Sequence, residues 1–94
     1  MSSFRIELTA HAAGDLERNG QESRRDILED LSALKADPFP SGTRIKRLKG
    51  FRPPLYRLRC GDFRVLYQIQ ETTVTVLRVI DRKLFERIIR RLKL

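Results

Sequence analysis

A chain of 94 residues with 40% apolar and 34% charged content is long enough for one modest core and too apolar for intrinsic disorder. Its net charge of +8 is unevenly placed: residues 1–43 hold five cations and eight acids, net −3, and residues 44–94 hold fifteen cations and four acids, net +11. No apolar run approaches the ~18 residues of a membrane helix. The start MSSFRIELTAHAAG lacks the basic and apolar regions of a signal peptide. The single cysteine, Cys60, excludes an internal disulfide framework and fits a reducing, cytoplasmic setting. Cys60 and the one histidine, His11, cannot form a zinc site by themselves.

Phe4, Ile6 and Leu8 alternate with Arg5 and Glu7, which predicts a half-buried first strand. Thr9 can cap a short helix over 10–18, with Ala12, Ala13 and Leu16 on one face and Asn19-Gly20 as its stop. A second helix over 22–36 carries the stripe Ile27, Leu28, Leu31 and Leu34, and Asp37-Pro38 ends it. The short link makes the two an antiparallel helical hairpin. Residues 39–54 read as a proline-bounded loop with an edge strand near 44–48. Lys46, Arg47, Lys49 and Arg52 line it, either to grip a nucleic-acid backbone or as a solvated basic loop.

Strands over 55–60 and 63–70 meet at the turn Gly61-Asp62, and a strand over 74–80 follows the turn Glu71-Thr72-Thr73. Asp81 can cap a last helix over 82–92, with Leu84, Phe85, Ile88, Ile89 and Leu92 in one stripe. The order β-α-α-β-β-β-β-α, with strands joined by hairpins, argues α+β: an antiparallel sheet of about four to five strands, a helical hairpin and a C-terminal helix.

A two-residue turn at Gly61-Asp62 sets Cys60 opposite Phe63, Arg59 opposite Arg64, Leu58 opposite Val65 and Arg57 opposite Leu66. One side then collects Tyr56, Leu58, Cys60, Phe63, Val65, Tyr67 and Ile69 as a core face, and the other collects Arg57, Arg59 and Arg64. Facing arginines repel. An anion between them reverses the sign, since guanidinium binds phosphate bidentately. Otherwise Asp62, Glu71 or helix carboxylates neutralise them, or they splay into water. Tyr56, Tyr67 and Phe85 read as core aromatics, His11 as an exposed helix residue and Cys60 as a small buried hydrophobe.

These residues carry a resemblance. Ile6-Glu7-Leu8-Thr9 with Asp15-Leu16, Ile45-Lys46-Arg47-Leu48-Lys49-Gly50, Leu55-Tyr56-Arg57-Leu58-Arg59, Gly61-Asp62-Phe63-Arg64-Val65-Leu66-Tyr67 and Val79-Ile80-Asp81-Arg82-Lys83 follow in the order seen in RelE/ParE-superfamily toxins, and the chain resembles the RelE-like branch. The resemblance implies a metal- and cofactor-independent, ribosome-dependent endoribonuclease that cuts messenger RNA. Arg64 matches the family's sheet arginine at the scissile phosphate and Arg82 the arginine after the last strand. Arg57 and Arg59 stand where active members carry lysines, and Phe85 lies near the place of a C-terminal tyrosine that stacks on RNA.

The catalytic set implied is Arg57, Arg59, Arg64 and Arg82, with Lys46, Arg47, Lys49 and Phe85 as RNA-binding residues. Arginine cannot readily lose its proton, so Lys46, Lys49 or Lys83 would have to serve as base. The partners implied are an acidic antitoxin, in assemblies up to a hetero-tetramer, and the ribosome with its message, with no membrane. Two other readings stand beside this one: a ParE-type DNA gyrase inhibitor, which usually has a longer helical hairpin, and a non-catalytic RNA- or ribosome-binding module.

Overall fold

A computed structural model describes residues 3–92, the Leu92 side chain excepted. Its elements are β1 (Arg5–Leu8), α1 (Ala10–Arg18), α2 (Gln21–Ala33), β2 (Ile45–Leu48), β3 (Leu55–Cys60), β4 (Phe63–Gln70), β5 (Thr73–Asp81) and α3 (Arg82–Leu92). The five strands form one sheet in the order β1-β5-β4-β3-β2.

Local chemistry accounts for most boundaries. The Thr9 hydroxyl accepts from the Ala12 N–H at 3.1 Å, which starts α1. Asp81 Oδ1 accepts from the Leu84 N–H at 2.8 Å, which starts α3 where the sequence predicts. α2 ends earlier than its periodicity suggests. From Leu34 to Ala36 the chain tightens into turns, each N–H bonding the carbonyl three residues back. The Lys35 carbonyl is then free to accept from the Phe4 N–H at 2.8 Å, so the residue leading into β1 rather than another helical turn uses it.

Strands β2 to β5 form an antiparallel meander, as the hairpin turns predict. β1 departs from the antiparallel expectation: it lies parallel to β5, with Arg5 opposite Thr73 and Leu8 opposite Val76. No hairpin links it to its neighbour, so turn chemistry could not set its direction. As an edge strand it also leaves Leu8 39% exposed, and Leu28, which the sequence periodicity places in the α2 stripe, is 47% exposed because the helix buries only Ile27, Leu31 and the following Leu34 on that face.

Each face of the sheet has its own core. On one face Ala12 and Leu16 of α1, Ile27 and Leu31 of α2 and Leu34 just after it pack with Leu58, Cys60, Val65, Tyr67, Val74, Val76 and Val79. The Tyr67 hydroxyl donates to the Pro38 carbonyl at 2.7 Å, which satisfies its buried oxygen. On the other face Leu84, Phe85 and Ile88 of α3 cover a smaller cluster of Leu55, Leu66 and Ile80. The arginines stand on this second face, beside α3.

Candidate functional site

The site is built on the β3–β4 hairpin. Gly61 has φ +56°, a left-handed conformation in which a side chain is strained, so glycine makes the two-residue turn with Asp62 possible. The register is the one that turn dictates: Cys60 faces Phe63, Arg59 faces Arg64, Leu58 faces Val65 and Arg57 faces Leu66. β2 adds Lys46 opposite Arg57, which brings Lys46 onto the arginine face. Ile80 of β5 faces Arg64, and the Arg82 N–H at the start of α3 donates to the Asp62 carbonyl at 2.9 Å. One side of the sheet thus gathers Lys46, Arg57, Arg59 and Arg64, with the root of Arg82 tied to the hairpin turn.

The arginines are held in three different ways. Arg64 is 7% exposed, and its Nη1 donates to the carbonyls of Gly61 and Phe63, each at 2.9 Å. Arg57 is half-buried; its Nη2 donates to the Thr43 carbonyl at 2.5 Å, and its buried Nε has no partner among the described residues. Arg59 is exposed. Burial lowers the pKa of Arg64, and the charges of Arg59 and Arg82 lower it further, with Asp62 opposing. Burial likewise lowers that of Arg57, with the charges of Arg64 and Arg59 next. These four guanidinium groups therefore press on one another.

Their partners are not the carboxylates weighed from the sequence. Among the described residues the ion pairs are Arg5–Glu7, Arg18–Asp15, Arg44–Asp30 and Arg78–Asp15, and none includes an arginine of this face. Arg64 instead turns to backbone carbonyls of its own hairpin, and Arg59 is exposed. The cluster keeps its net positive charge, and such a face in a partly desolvated setting favours a bound anion.

The remaining candidates scatter. Arg47 faces Tyr56 across β2–β3 and so points from the opposite side of the strand to Lys46; with Gly50, Phe51, Arg52 and Pro54 it lines a separate shallow hollow. Lys49 is exposed just past β2. Phe85 is half-buried, packed between α3 and the Leu55–Leu66–Ile80 cluster. His11 is exposed on α1, away from the arginine face. Tyr56 stacks on Tyr67 at 5.5 Å in the first core. Cys60 is buried, and burial with the neighbouring Asp30 raises its thiol pKa to about 12. Among the described residues no group of three His, Cys, Asp or Glu side chains converges as a metal site.

Sequence reasoning missed one ionic centre. Asp15, 4% exposed on α1, accepts from Arg78 Nε at 2.8 Å and from the Val79 N–H at 2.8 Å, and Arg18 adds a further contact. Burial works to raise the Asp15 pKa, but the bonds from Arg78 and Val79 and the charges of Arg78 and Arg18 together hold it below the ordinary 3.8. The available signal was a charge at i+3 from Ala12, beside Leu16 on the apolar side of the helix.

Comparison with known proteins identifies the family and the fold. The model of the family described as "ParE toxin of type II toxin-antitoxin system, parDE" matches residues 6–83, and the chain belongs to that family, within the RelE/ParE superfamily of toxins. No curated protein matches the chain. A chain of the archaeal RelE–RelB complex from Pyrococcus horikoshii OT3 is similar at 25% identity and a TM-score of 0.73, covering 85% of this chain and 96% of that one. A chain of the RelBE2 toxin–antitoxin complex from Mycobacterium tuberculosis is similar at 26% identity and a TM-score of 0.72, covering 85% and 99%. The YoeB/ParE toxin from Agrobacterium tumefaciens shares the fold at 18% identity and a TM-score of 0.69, covering 84% and 99%.

Proposed function

We propose that this toxin is a ribosome-dependent endoribonuclease that cuts messenger RNA. The observation that carries the reading is the convergence of Arg57, Arg59, Arg64 and Lys46 on one sheet face, near Arg82, with no carboxylate paired to any of the arginines among the described residues. In the reaction a ribose 2′-oxygen attacks the adjacent phosphorus and the P–O5′ bond breaks, leaving a 2′,3′-cyclic phosphate and a 5′-hydroxyl. Arg59, Arg64 and Arg82 hold the non-bridging oxygens and stabilise the charge that builds on them. Arg57 contributes charge from a fixed position, its Nη2 anchored on Thr43. Lys46, opposite Arg57, is the base this register favours over Lys49 and Lys83. Arg47, Lys49 and Phe85 add contacts to the RNA outside the reacting phosphate.

The solved relatives from P. horikoshii and M. tuberculosis are toxin–antitoxin complexes, which supports an antitoxin partner. Its acidic segment would cover the arginine face, and two such pairs would form a hetero-tetramer. The test is cell-free translation with primer extension on the message. Cuts that appear only with ribosomes present support the nuclease; stalled translation on intact message marks a non-catalytic binder and overturns it.

One observation favours a second reading: the family that matches is named for ParE. A gyrase inhibitor would leave translation untouched and abolish supercoiling of plasmid DNA in the same extract. The compact hairpin of α1 (9 residues) and α2 (13 residues), together with the arginine face, favours RNA.

A further inference from the structure

The sheet behind the arginine face contains an irregularity. Tyr67 of β4 faces Val76, but the next position, Leu66, faces Arg78, so Leu77 is an extra residue in β5. This β-bulge reverses the alternation of everything after it. Val76 and Val79, three apart, lie in the same core, and Leu77 and Ile80 both belong to the other. Without the extra residue Val79 rather than Ile80 would face Arg64, and each side chain from Val79 on would change sides. Arg82 would also stand one position out of register with the β3–β4 turn that its N–H now meets.

A bulge leaves backbone groups without ladder partners, and here α1 and its cap engage four consecutive residues. The Thr9 N–H donates to the Val76 carbonyl at 3.0 Å, and the Thr9 hydroxyl donates to the Leu77 carbonyl at 3.0 Å. Asp15 receives the Arg78 guanidinium at 2.8 and 3.1 Å and the Val79 N–H at 2.8 Å. Six positions apart on one short segment, these two side chains hold the bulge from both ends.

We infer that Thr9 and Asp15 are positioning residues, which hold the extra residue in β5 and thereby place Ile80 against Arg64 and Arg82 against the β3–β4 turn. The importance of that placement for activity rests on the proposed reading of the arginine face; the placement itself does not. Neither residue lies on the arginine face, since α1 covers the opposite side of the sheet. They act through the register of the last strand.

The test compares Thr9→Val, Thr9→Ser and Asp15→Asn with two core changes on α2, Ile27→Val and Leu31→Ala, which weaken the fold without removing a polar contact to β5. Cross-strand NOEs report the register, and single-turnover cleavage of ribosome-bound message reports activity. Thr9→Val and Asp15→Asn should lose the Arg64–Ile80 and Phe63–Asp81 contacts and keep those between Gln70 and Thr73. Their cleavage rate should fall by about 10²-fold with KM little changed, as for a misplaced reacting group. Thr9→Ser, which keeps the hydroxyl, should retain the wild-type register and rate. The α2 variants should keep both. Intact Arg64–Ile80 contacts in Thr9→Val and Asp15→Asn would overturn the inference, as would equal loss of register in the α2 variants. Should Asp15→Asn fail to fold, the Thr9 pair decides. Wild-type protein that cuts no message would overturn the nuclease reading, while the NOE comparison would still decide the positioning role.

Discussion

Arg64 binds two carbonyl oxygens of its own hairpin while facing another arginine. A guanidinium donating to backbone gains more than a facing like charge costs, so Arg64→Ala should lower stability by about 1–2 kcal/mol in urea denaturation and abolish growth inhibition. A more stable variant would show that repulsion dominates. Arg57 allows a complementary experiment. The burial and neighbouring charges that lower its pKa would act on a lysine at the same place, starting from a group far easier to deprotonate. Arg57→Lys should keep or raise the cleavage rate and add a basic-limb ionisation to its pH profile. Loss as severe as in Arg57→Ala would mean that the fork of donors is what matters.

Asp15 gives a pH dependence. Its folded pKa lies below the unfolded value, so its contribution to stability is fully present above the unfolded value of 3.8 and fades as pH falls through the folded one. Asp15→Asn should cost about 3 kcal/mol at neutral pH, because Arg78 loses its counter-charge, and should flatten acid unfolding below pH ~4. Equilibrium unfolding across pH 2 to 7 checks both. The residue-level pattern of the arginine face was legible because a two-residue turn leaves one register. The partners of Arg64 were not, since sequence names carboxylates but does not show where a turn aims its carbonyls.

At the scale of elements, α3 is the least self-consistent piece. It brings Arg82, Lys83, Arg87, Arg90 and Arg91 against a single acid, Glu86, onto a face that already holds Arg57, Arg59 and Arg64. Leu84, Phe85 and Ile88 must outweigh that repulsion. A divalent anion should strengthen the docking: sulfate should slow exchange of the α3 amides more than chloride does at equal ionic strength. Equal effects of the two salts would mean general screening and no specific anion site. The helices and hairpin strands were readable from period and caps. The parallel pairing of β1 was hidden because no turn joins it to β5, and the bulge left only a faint mark, the break in alternation at Leu77-Arg78.

The whole molecule has a polarity: an acidic helical hairpin behind one face of the sheet, a basic surface before the other. Binding of single-stranded RNA through Lys46, Arg57, Arg59, Arg64 and Arg82 should therefore weaken steeply with salt. Five phosphate contacts give a slope of roughly −3 to −4 in log K against log salt. Fluorescence anisotropy with a non-cleavable oligonucleotide measures it; a slope near zero would remove the arginine face from RNA binding. Charge asymmetry made this surface visible in the sequence, whereas assigning it to RNA rather than DNA-associated targets needs chemistry that charge does not carry.

The parallel strand has a consequence for how the molecule comes into being. Thr9 and Leu77, bonded in the finished fold, are 68 positions apart, and among the described residues β1 pairs with no strand other than β5. During synthesis β1 emerges first and has no strand to pair with until the last strand has been made. The meander from β2 to β5 closes through near neighbours and can form quickly, but closing the loop back to β1 is a late, entropically costly event. That same closure brings Thr9 and Asp15 to the bulge, so the register inferred for Arg82 and Ile80 would be set only at the end of folding.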